Sequence, residues 1–209
     1  MKGIKLLFLI VFWVSCKAQT PLLSLYDDQY GEVAGAYYKD THNDLDNYVG
    51  TWIYSNGNTS LTITLQKKTM QLYNGDYISY YEDMLIGEYK YVYNGVEKVN
   101  TLNLITLPPE DLYSHTIGGS SILRNDNYPT CPECNVNEKR VSLSFSDPTR
   151  TAVDGLSGEI IIRRVDVGNL QKIKIWLRQV GNITYLEGTT IPYDSFNVPW
   201  GEYILTKVN

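Results

Sequence analysis

Hydrophobic and polar residues alternate along much of the chain after residue 48. The alternation is clearest at 61–65, 141–145 and 173–177, where every second residue is Leu, Ile, Val or Phe. A period of two is typical of a β-strand with one buried face. Further segments at 120–123, 158–165 and 200–207 also read as strands. The pattern predicts an all-β protein.

Turn signals separate these strands. Asn-Gly pairs occur at 56–57, 74–75 and 94–95. Asn-Gly accepts the positive φ angles of a tight hairpin turn, so each pair predicts a β-hairpin. Sequential hairpins make an antiparallel up-and-down meander, and eight to ten strands are enough to close a small β-barrel. A two-sheet β-sandwich is the alternative, because periodicity does not report closure.

The N-terminus has the pattern of an export signal. A basic start, with Lys2 and Lys5, precedes an apolar run at 6–14 that is too short for a membrane-spanning helix. Ser15-Cys16 resembles the end of a bacterial lipobox, in which the cysteine receives lipid, although Trp13 departs from it. Cleavage after Ala18 is the alternative. We therefore expect a signal peptide at 1–16 and either a lipoprotein or a secreted protein.

Residues 17–40 show little periodicity and read as a tether or loosely packed arm, which leaves 41–209 as the barrel domain. Thr41 and Asp44 have the spacing of a capping box, and Leu45, Tyr48 and Val49 share one face of a short helical turn. The alternating Asp40, His42, Asp44 and Asp46 lack the glycine and glutamate of a calcium loop, so we expect capping and no metal.

Charge limits the partners. The chain carries a formal net charge of −5, and removal of Lys2 and Lys5 with the leader gives −7. An acidic chain has no long-range attraction for nucleic acid, which is therefore not an expected partner.

Three cysteines are present, and lipidation of Cys16 would leave Cys131 and Cys134 as a pair. In an oxidising compartment, this C-x-x-C predicts a small structural disulfide. A zinc site would need two more ligands, and a redox role would need a helix N-terminus.

Candidate catalytic residues are few. The segment 155–158 lacks the spacing of a G-x-S-x-G nucleophile elbow, and no phosphate or dinucleotide fingerprint is present. Adjacent acids such as Glu82 and Asp83 read as solvated surface residues. We expect a protein without enzymatic activity and without a cofactor.

Tyrosines are abundant, and Tyr89, Tyr91 and Tyr93 share one strand face. They are candidates for lining a ligand cavity. The alternative is that they were selected for strand propensity and cross-strand pairing.

Gly50 and Trp52 follow the short helical turn and open the first barrel strand. A helical turn followed by Gly-x-Trp and a meander resembles the lipocalins. That resemblance implies an eight-stranded barrel, structural roles for Gly50 and Trp52, and an arginine stacked on the tryptophan, for which Arg164 and Arg178 are candidates.

The leader, the segment 48–52 and the C-terminal segment 201–207 are also similar to an uncharacterised family of exported proteins from Gram-negative bacteria. Two functions remain open. One is a cell-envelope or secreted binding protein for a small apolar or sugar-like ligand, tethered to the membrane if Cys16 is lipidated. The other is an envelope structural or interaction protein with a filled core.

Overall fold

The computed structural model describes residues 20–208 apart from 107, 108, 186, 187 and 189, with the side chains of 109–111 left undescribed. The predicted leader and Cys16 lie outside the described residues. The strands are β1 Leu22–Ser24, β2 Tyr37–Lys39, β3 Gly50–Asn56, β4 Thr59–Asn74, β5 Ser79–Tyr93, β6 Val96–Asn100, β7 Ile117–Leu123, β8 Arg140–Phe145, β9 Gly158–Arg164, β10 Lys172–Gln179 and β11 Gly201–Lys207. Short 3-10 helices span Leu45–Tyr48, Leu102–Thr106 and Pro109–Ser114.

Eight of these strands form a closed antiparallel barrel in the order β3-β4-β5-β7-β8-β9-β10-β11. Each strand pairs with the next one in this series, and β11 pairs back onto β3 through Thr206 with Ile53 and Lys207 with Trp52. The β5–β7 pairing, at Leu85 with Gly119, completes the ring. The predicted up-and-down barrel is therefore confirmed, and the two-sheet sandwich is excluded.

Strand β5 has 15 residues and is second in length to β4, which has 16. One of its edges pairs with β4 along nearly its whole length. The other edge is shared by three short strands, with β2 at Tyr81–Glu82, β7 at Leu85–Gly87 and β6 at Lys90–Tyr93. β4 and β5 therefore extend beyond the barrel and form a small four-stranded sheet with β1 and β2.

The barrel interior is filled by large side chains. The inward-facing residues of the predicted alternating segments are almost completely buried and belong to one cluster: Leu61, Ile63, Leu65, Val141, Leu143, Phe145, Ile173, Ile175 and Leu177. Packing is close at Gly87, where a Cβ atom would lie 2.5 Å from Leu65 Cδ2 and 3.2 Å from Ile117 Cβ. Large buried side chains at native packing density leave little space for a ligand.

The N-terminal segment is part of the packed structure. β1 and β2 pair in parallel, and β2 pairs in parallel with β5. Leu25, Ala36 and Tyr38 are buried in the main core. The predicted loose arm is therefore wrong for residues 20–40, because strands of three residues are too short to show periodicity.

The predicted helical turn is the 3-10 helix Leu45–Tyr48, which closes one end of the barrel with Leu45 and Tyr48 buried. Its capping differs from the prediction. Asp44 makes no side-chain capping bond. The buried carboxylate of Asp40 instead accepts hydrogen bonds from the backbone N–H groups of Asp44 at 2.9 Å and Leu45 at 3.0 Å.

A loop of residues 124–139, here called the disulfide loop, connects β7 to β8. Cys131 and Cys134 form a disulfide within it, as predicted. Among the described residues, no helix has the length and apolar character needed to cross a membrane.

Candidate functional site

Gly50 and Trp52 lie at the closed end of the barrel. Trp52 is fully buried, and its indole Nε1–H donates a 2.8 Å hydrogen bond to the carbonyl of Tyr48. The Arg164 guanidinium and the Lys207 ammonium each lie 5.4 Å from the indole. Of the two arginine candidates, Arg164 therefore contacts Trp52, while Arg178 lies on the outer wall beside Trp176.

The backbone conformation at position 50 and the close approach of Lys207 both require a glycine. The φ angle of Gly50 is +127°, and a Cβ atom would lie 2.8 Å from Cε of Lys207. The glycine lets the Lys207 side chain cross the barrel end towards Trp52. The Gly-x-Trp segment thus has a structural role, which agrees with the lipocalin resemblance.

The three candidate tyrosines, Tyr89, Tyr91 and Tyr93, follow β5 from the barrel interior to the end opposite Trp52. Tyr89 is fully buried against Phe145 at 4.7 Å between ring centroids, Tyr91 is nearly buried and Tyr93 is 49% exposed. Phe196 packs on Phe145, with 5.8 Å between the ring centroids. Tyr89 therefore belongs to the core, contrary to the ligand-lining hypothesis, while Tyr91 and Tyr93 line a rim groove of about 320 Å³.

The acids that the sequence assigned to solvent are buried. Glu82 accepts hydrogen bonds from the hydroxyls of Tyr30, Ser120 and Tyr113. Burial and the neighbouring carboxylate raise the pKa of Tyr30 and Tyr113. Asp83 accepts from the Tyr37 hydroxyl and two backbone amides. These carboxylates join the N-terminal segment to β5.

A second buried polar cluster lies on the outer side of β5. The Glu88 carboxylate is 2.7 Å from His115 Nδ1 and accepts a 2.8 Å bond from the Thr116 hydroxyl. A carboxylate beside histidine is a familiar acid–base pairing. Both side chains have no exposed surface, so the cluster anchors His115 and Thr116 against β5. His42 contacts different partners, Thr41 and the ring of Tyr26.

Arg140 organises the disulfide loop. It is buried at the start of β8 and donates hydrogen bonds to the carbonyls of Pro129 at 2.6 Å, Arg124 at 2.8 Å and Asn127 at 3.2 Å. Its Nε atom is buried and has no hydrogen-bond partner. Burial lowers the pKa of Arg140. A buried donor without a partner is costly.

Arg140 lies beside a groove of about 170 Å³ on the outer wall, which we call the wall groove. The groove is bounded by the disulfide loop and by the outer faces of β8 to β11. Its lining residues are Thr130, Cys131, Glu133, Arg140, Ile161, Arg163, Lys174, Trp176 and Glu202. Register places Ile161, Trp176 and Glu202 in one row across three strands.

The charged groups of the wall groove pair with one another. Lys174 Nζ lies 2.8 Å from Glu202 and 3.5 Å from Glu133, while Arg163 lies 3.0 Å from Glu138 and 3.6 Å from Glu133. A backbone hydrogen bond together with Lys174 lowers the pKa of Glu133. The groove therefore presents both donors and acceptors around a partly exposed indole.

Aromatic rings continue beyond the groove. Trp176 is 37% exposed and Tyr128 is 79% exposed. The Arg178 guanidinium lies 5.4 Å from the first ring and 5.2 Å from the second, and its Nε donates to Glu159 at 2.6 Å. The rings of Trp176 and Tyr128 therefore form a stacking surface. Arg178, which is bonded to Glu159, holds both rings in place through cation–π contacts.

Comparison with known proteins gives one result. The model of a family of unknown function, DUF6705, matches residues 1–208. The chain belongs to this family. No curated protein and no solved structure matches it. Membership in DUF6705 assigns no activity, so any functional role must be argued from the site itself.

Sequence reasoning missed the wall groove because its residues come from the disulfide loop and four strands. One feature of the sequence did point to this groove. Trp176 stands among Lys172, Lys174 and Arg178 on the polar face of β10, which is an unusual place for a large aromatic side chain. Among the described residues, no cluster of three or more His, Cys, Asp or Glu side chains could hold a metal.

Proposed function

We propose that this protein is an exported, lipid-anchored and non-enzymatic binding protein of the cell envelope. Its ligand site is the wall groove and not the barrel interior, and its ligand is a small sugar-like molecule. The observation that supports this assignment is the contrast between the filled interior and the partly exposed Trp176 in the groove.

The groove has the chemistry that a sugar requires. An indole face stacks on the apolar C–H face of a pyranose ring, while the carboxylates of Glu133 and Glu202 accept bonds from hydroxyl groups. The ammonium of Lys174 and the guanidinium of Arg163, which also line the groove, supply donors. A volume of about 170 Å³ corresponds to about five or six water molecules, enough for one sugar ring.

The pairing of charges favours a neutral ligand. Lys174 and Arg163 already form ion pairs with Glu133, Glu138 and Glu202. A charged ligand would have to displace one member of these pairs, and that displacement leaves its partner without a counter-ion. A polyhydroxylated neutral ligand can instead add hydrogen bonds to the existing network.

The experiment is an NMR titration of the protein with a panel of methyl glucoside, methyl galactoside and N-acetylglucosamine. We expect one of these sugars to shift the Trp176 indole N–H signal saturably, with Kd on the order of 1 mM, equivalent to about −4 kcal/mol. We expect Trp176→Ala to weaken binding at least about tenfold, because truncation of a tryptophan at a binding hot spot costs about 2 kcal/mol or more.

Tyr93→Ala is the matched control, because Tyr93 is a partly exposed aromatic at the rim groove, at the far end of the barrel. It should leave the titration unchanged. Loss of binding in Tyr93→Ala with normal binding in Trp176→Ala would move the site to the rim. An absence of shifts with all three sugars would contradict the proposed ligand class.

A structural or interaction role in the envelope is the second candidate. It is favoured by the filled interior, which both Trp52 and Phe196 help to close. In that case the aromatic surface of Tyr128 and Trp176 would contact a protein. Cross-linking in intact cells would then capture a partner protein with the wild-type chain and not with Trp176→Ala. The NMR titration would show no shifts with any of the sugars.

The lipid anchor is tested separately. We expect an alkyne fatty acid fed to the native host to label the wild-type chain, and we expect Cys16→Ser to abolish this label. The control is the Cys131→Ser/Cys134→Ser double variant, which keeps Cys16 and should stay labelled. Equal labelling of wild type and Cys16→Ser would refute lipidation at Cys16.

A further inference from the structure

The four-stranded sheet beyond the closed end of the barrel has one covered face and one open face. Register aligns Leu22, Tyr37, Tyr81 and Leu72 in a single row across β1, β2, β5 and β4. Residues paired in register point to the same side of a sheet. This row therefore forms one face, which we call the apolar row.

The neighbouring row points the other way and is covered. It contains Leu23, Tyr38 and Glu82. Tyr30 covers this face, with its ring 4.9 Å from Tyr38 and its hydroxyl bonded to Glu82. The protein's own chain therefore uses one side of the sheet and leaves the apolar row open.

The open side carries exposed apolar side chains next to Ser24 and Lys39, which lie on the same face. Leu22 is 61% exposed and Leu72 is 50% exposed, with Tyr37 and Tyr81 half-buried between them. Met70, at the bulge in β4, is 50% exposed, and Tyr77, in the β4–β5 turn, is fully exposed. Exposed aliphatic and tyrosine side chains clustered at one end of a molecule mark an interaction surface.

The short distance in sequence between Cys16 and the apolar row indicates which partner this surface contacts. Leu22 is six residues after Cys16 (22 − 16), and six extended residues reach at most about 20 Å. A lipid on Cys16 would therefore hold this end of the molecule close to the bilayer. The rim end of β5 lies twelve residues beyond Tyr81 (93 − 81), or about 40 Å farther along the strand.

We propose that the apolar row, together with Met70 and Tyr77, docks onto the surface of a phospholipid bilayer and fixes the orientation of the barrel. The inference rests on the lipid anchor proposed above. Tyrosine rings and aliphatic side chains suit the boundary between headgroups and acyl chains. The wall groove then stands away from the membrane on the side of the barrel.

The docking is hydrophobic in character. The chain after the leader carries 16 Lys and Arg against 23 Asp and Glu, a net charge of −7. Asp76, next to Tyr77, is exposed. Repulsion from anionic lipid follows, so the surface should prefer neutral headgroups, and added salt should not release it.

The experiment uses the full lipidated chain reconstituted into vesicles of phosphatidylethanolamine and phosphatidylcholine. With Cys16 lipidated and Cys131 bonded to Cys134, an introduced cysteine is the one thiol left for an environment-sensitive fluorophore. Leu72→Cys places the dye in the apolar row. Val96→Cys is the matched control, because Val96 is 55% exposed in the β6 hairpin at the opposite end of β5.

We expect the dye at position 72 to shift its emission to the blue and to be quenched at least about threefold more by spin-labelled lipid than the dye at position 96. Leu22→Glu in the Leu72→Cys background should remove that difference while the chain stays lipidated. Salt at 0.5 M should leave it unchanged.

Equal quenching at both positions in a lipidated chain would overturn the docking and leave the anchor intact. Failure of the chain to enter vesicles would instead reject the anchor. A blue shift at position 72 in lipid-free buffer that grows with protein concentration would overturn the proposal in favour of a second copy of the chain.

Discussion

We expect Trp52→Ala to lower the free energy of unfolding by about 3–5 kcal/mol, the range found when a large aromatic side chain is removed from a core. Trp52 is fully buried at the point where β3 and β11 close the barrel. The change leaves a cavity, leaves the Tyr48 carbonyl without its donor, and removes the ring beneath Arg164 and Lys207. Urea denaturation followed by far-UV circular dichroism measures the change.

Two further variants keep this expectation falsifiable. Trp52→Phe retains a ring and loses the N–H, so it should lie between wild type and alanine even if the alanine variant does not fold. Trp176→Ala removes the same side chain from the outer wall, where it is 37% exposed, and should cost less than about 1 kcal/mol. Similar losses at positions 52 and 176 would show that Trp52 does not hold the core together.

The barrel itself could be predicted from the sequence because its strands lie next to their sequence neighbours. The segment 61–65 shows this well, since its leucine and isoleucine side chains are buried inside while its threonines face outward. Alternation reports which residues share a face, and the Asn-Gly pairs report where the chain reverses. All three pairs lie at connections between antiparallel strands.

Alternation does not report whether a second face is also covered. Glu82 lies on the outer face of β5 and was expected in solvent, but Tyr30 covers it. Glu88 lies on the same face and is covered by His115 and Thr116. These covering residues are 52 and about 27 positions away in the sequence. Contacts over such distances leave no periodic signal near the buried acid.

The candidate site was missed for the same reason. Wall-groove residues such as Lys174 and Glu202 look like ordinary polar positions on the outer faces of their strands. They become a groove only when the disulfide loop, fastened by Arg140, lies over the wall. The tyrosine face of β5 was identified correctly, but burial removes Tyr89 from contact with any ligand that approaches from solvent.

Asp40→Ala should lower the free energy of unfolding by about 2–4 kcal/mol, the combined effect of a lost helix cap and a broken, largely buried ion pair. The Asp40 side chain is completely buried and lies 2.8 Å from Lys67 Nζ. Burial alone would lower the pKa of Lys67, but the hydrogen bonds to Asp40 and Asp46 outweigh it and raise the pKa. Removal of Asp40 also leaves the amides of Asp44 and Leu45 without an acceptor.

Asp46→Ala is the matched control, because Asp46 contacts the same lysine at 3.0 Å from a side chain that is 54% exposed. An exposed pair of this kind contributes about 0–1 kcal/mol, so the loss should be small. Asp40 and Asp46 lie at nearly the same distance from Lys67. Asp40 alone of the two is buried and caps the helix. Urea denaturation of both variants therefore separates these factors, and equal losses would mean that neither burial nor the cap at Asp40 stabilises the closed end.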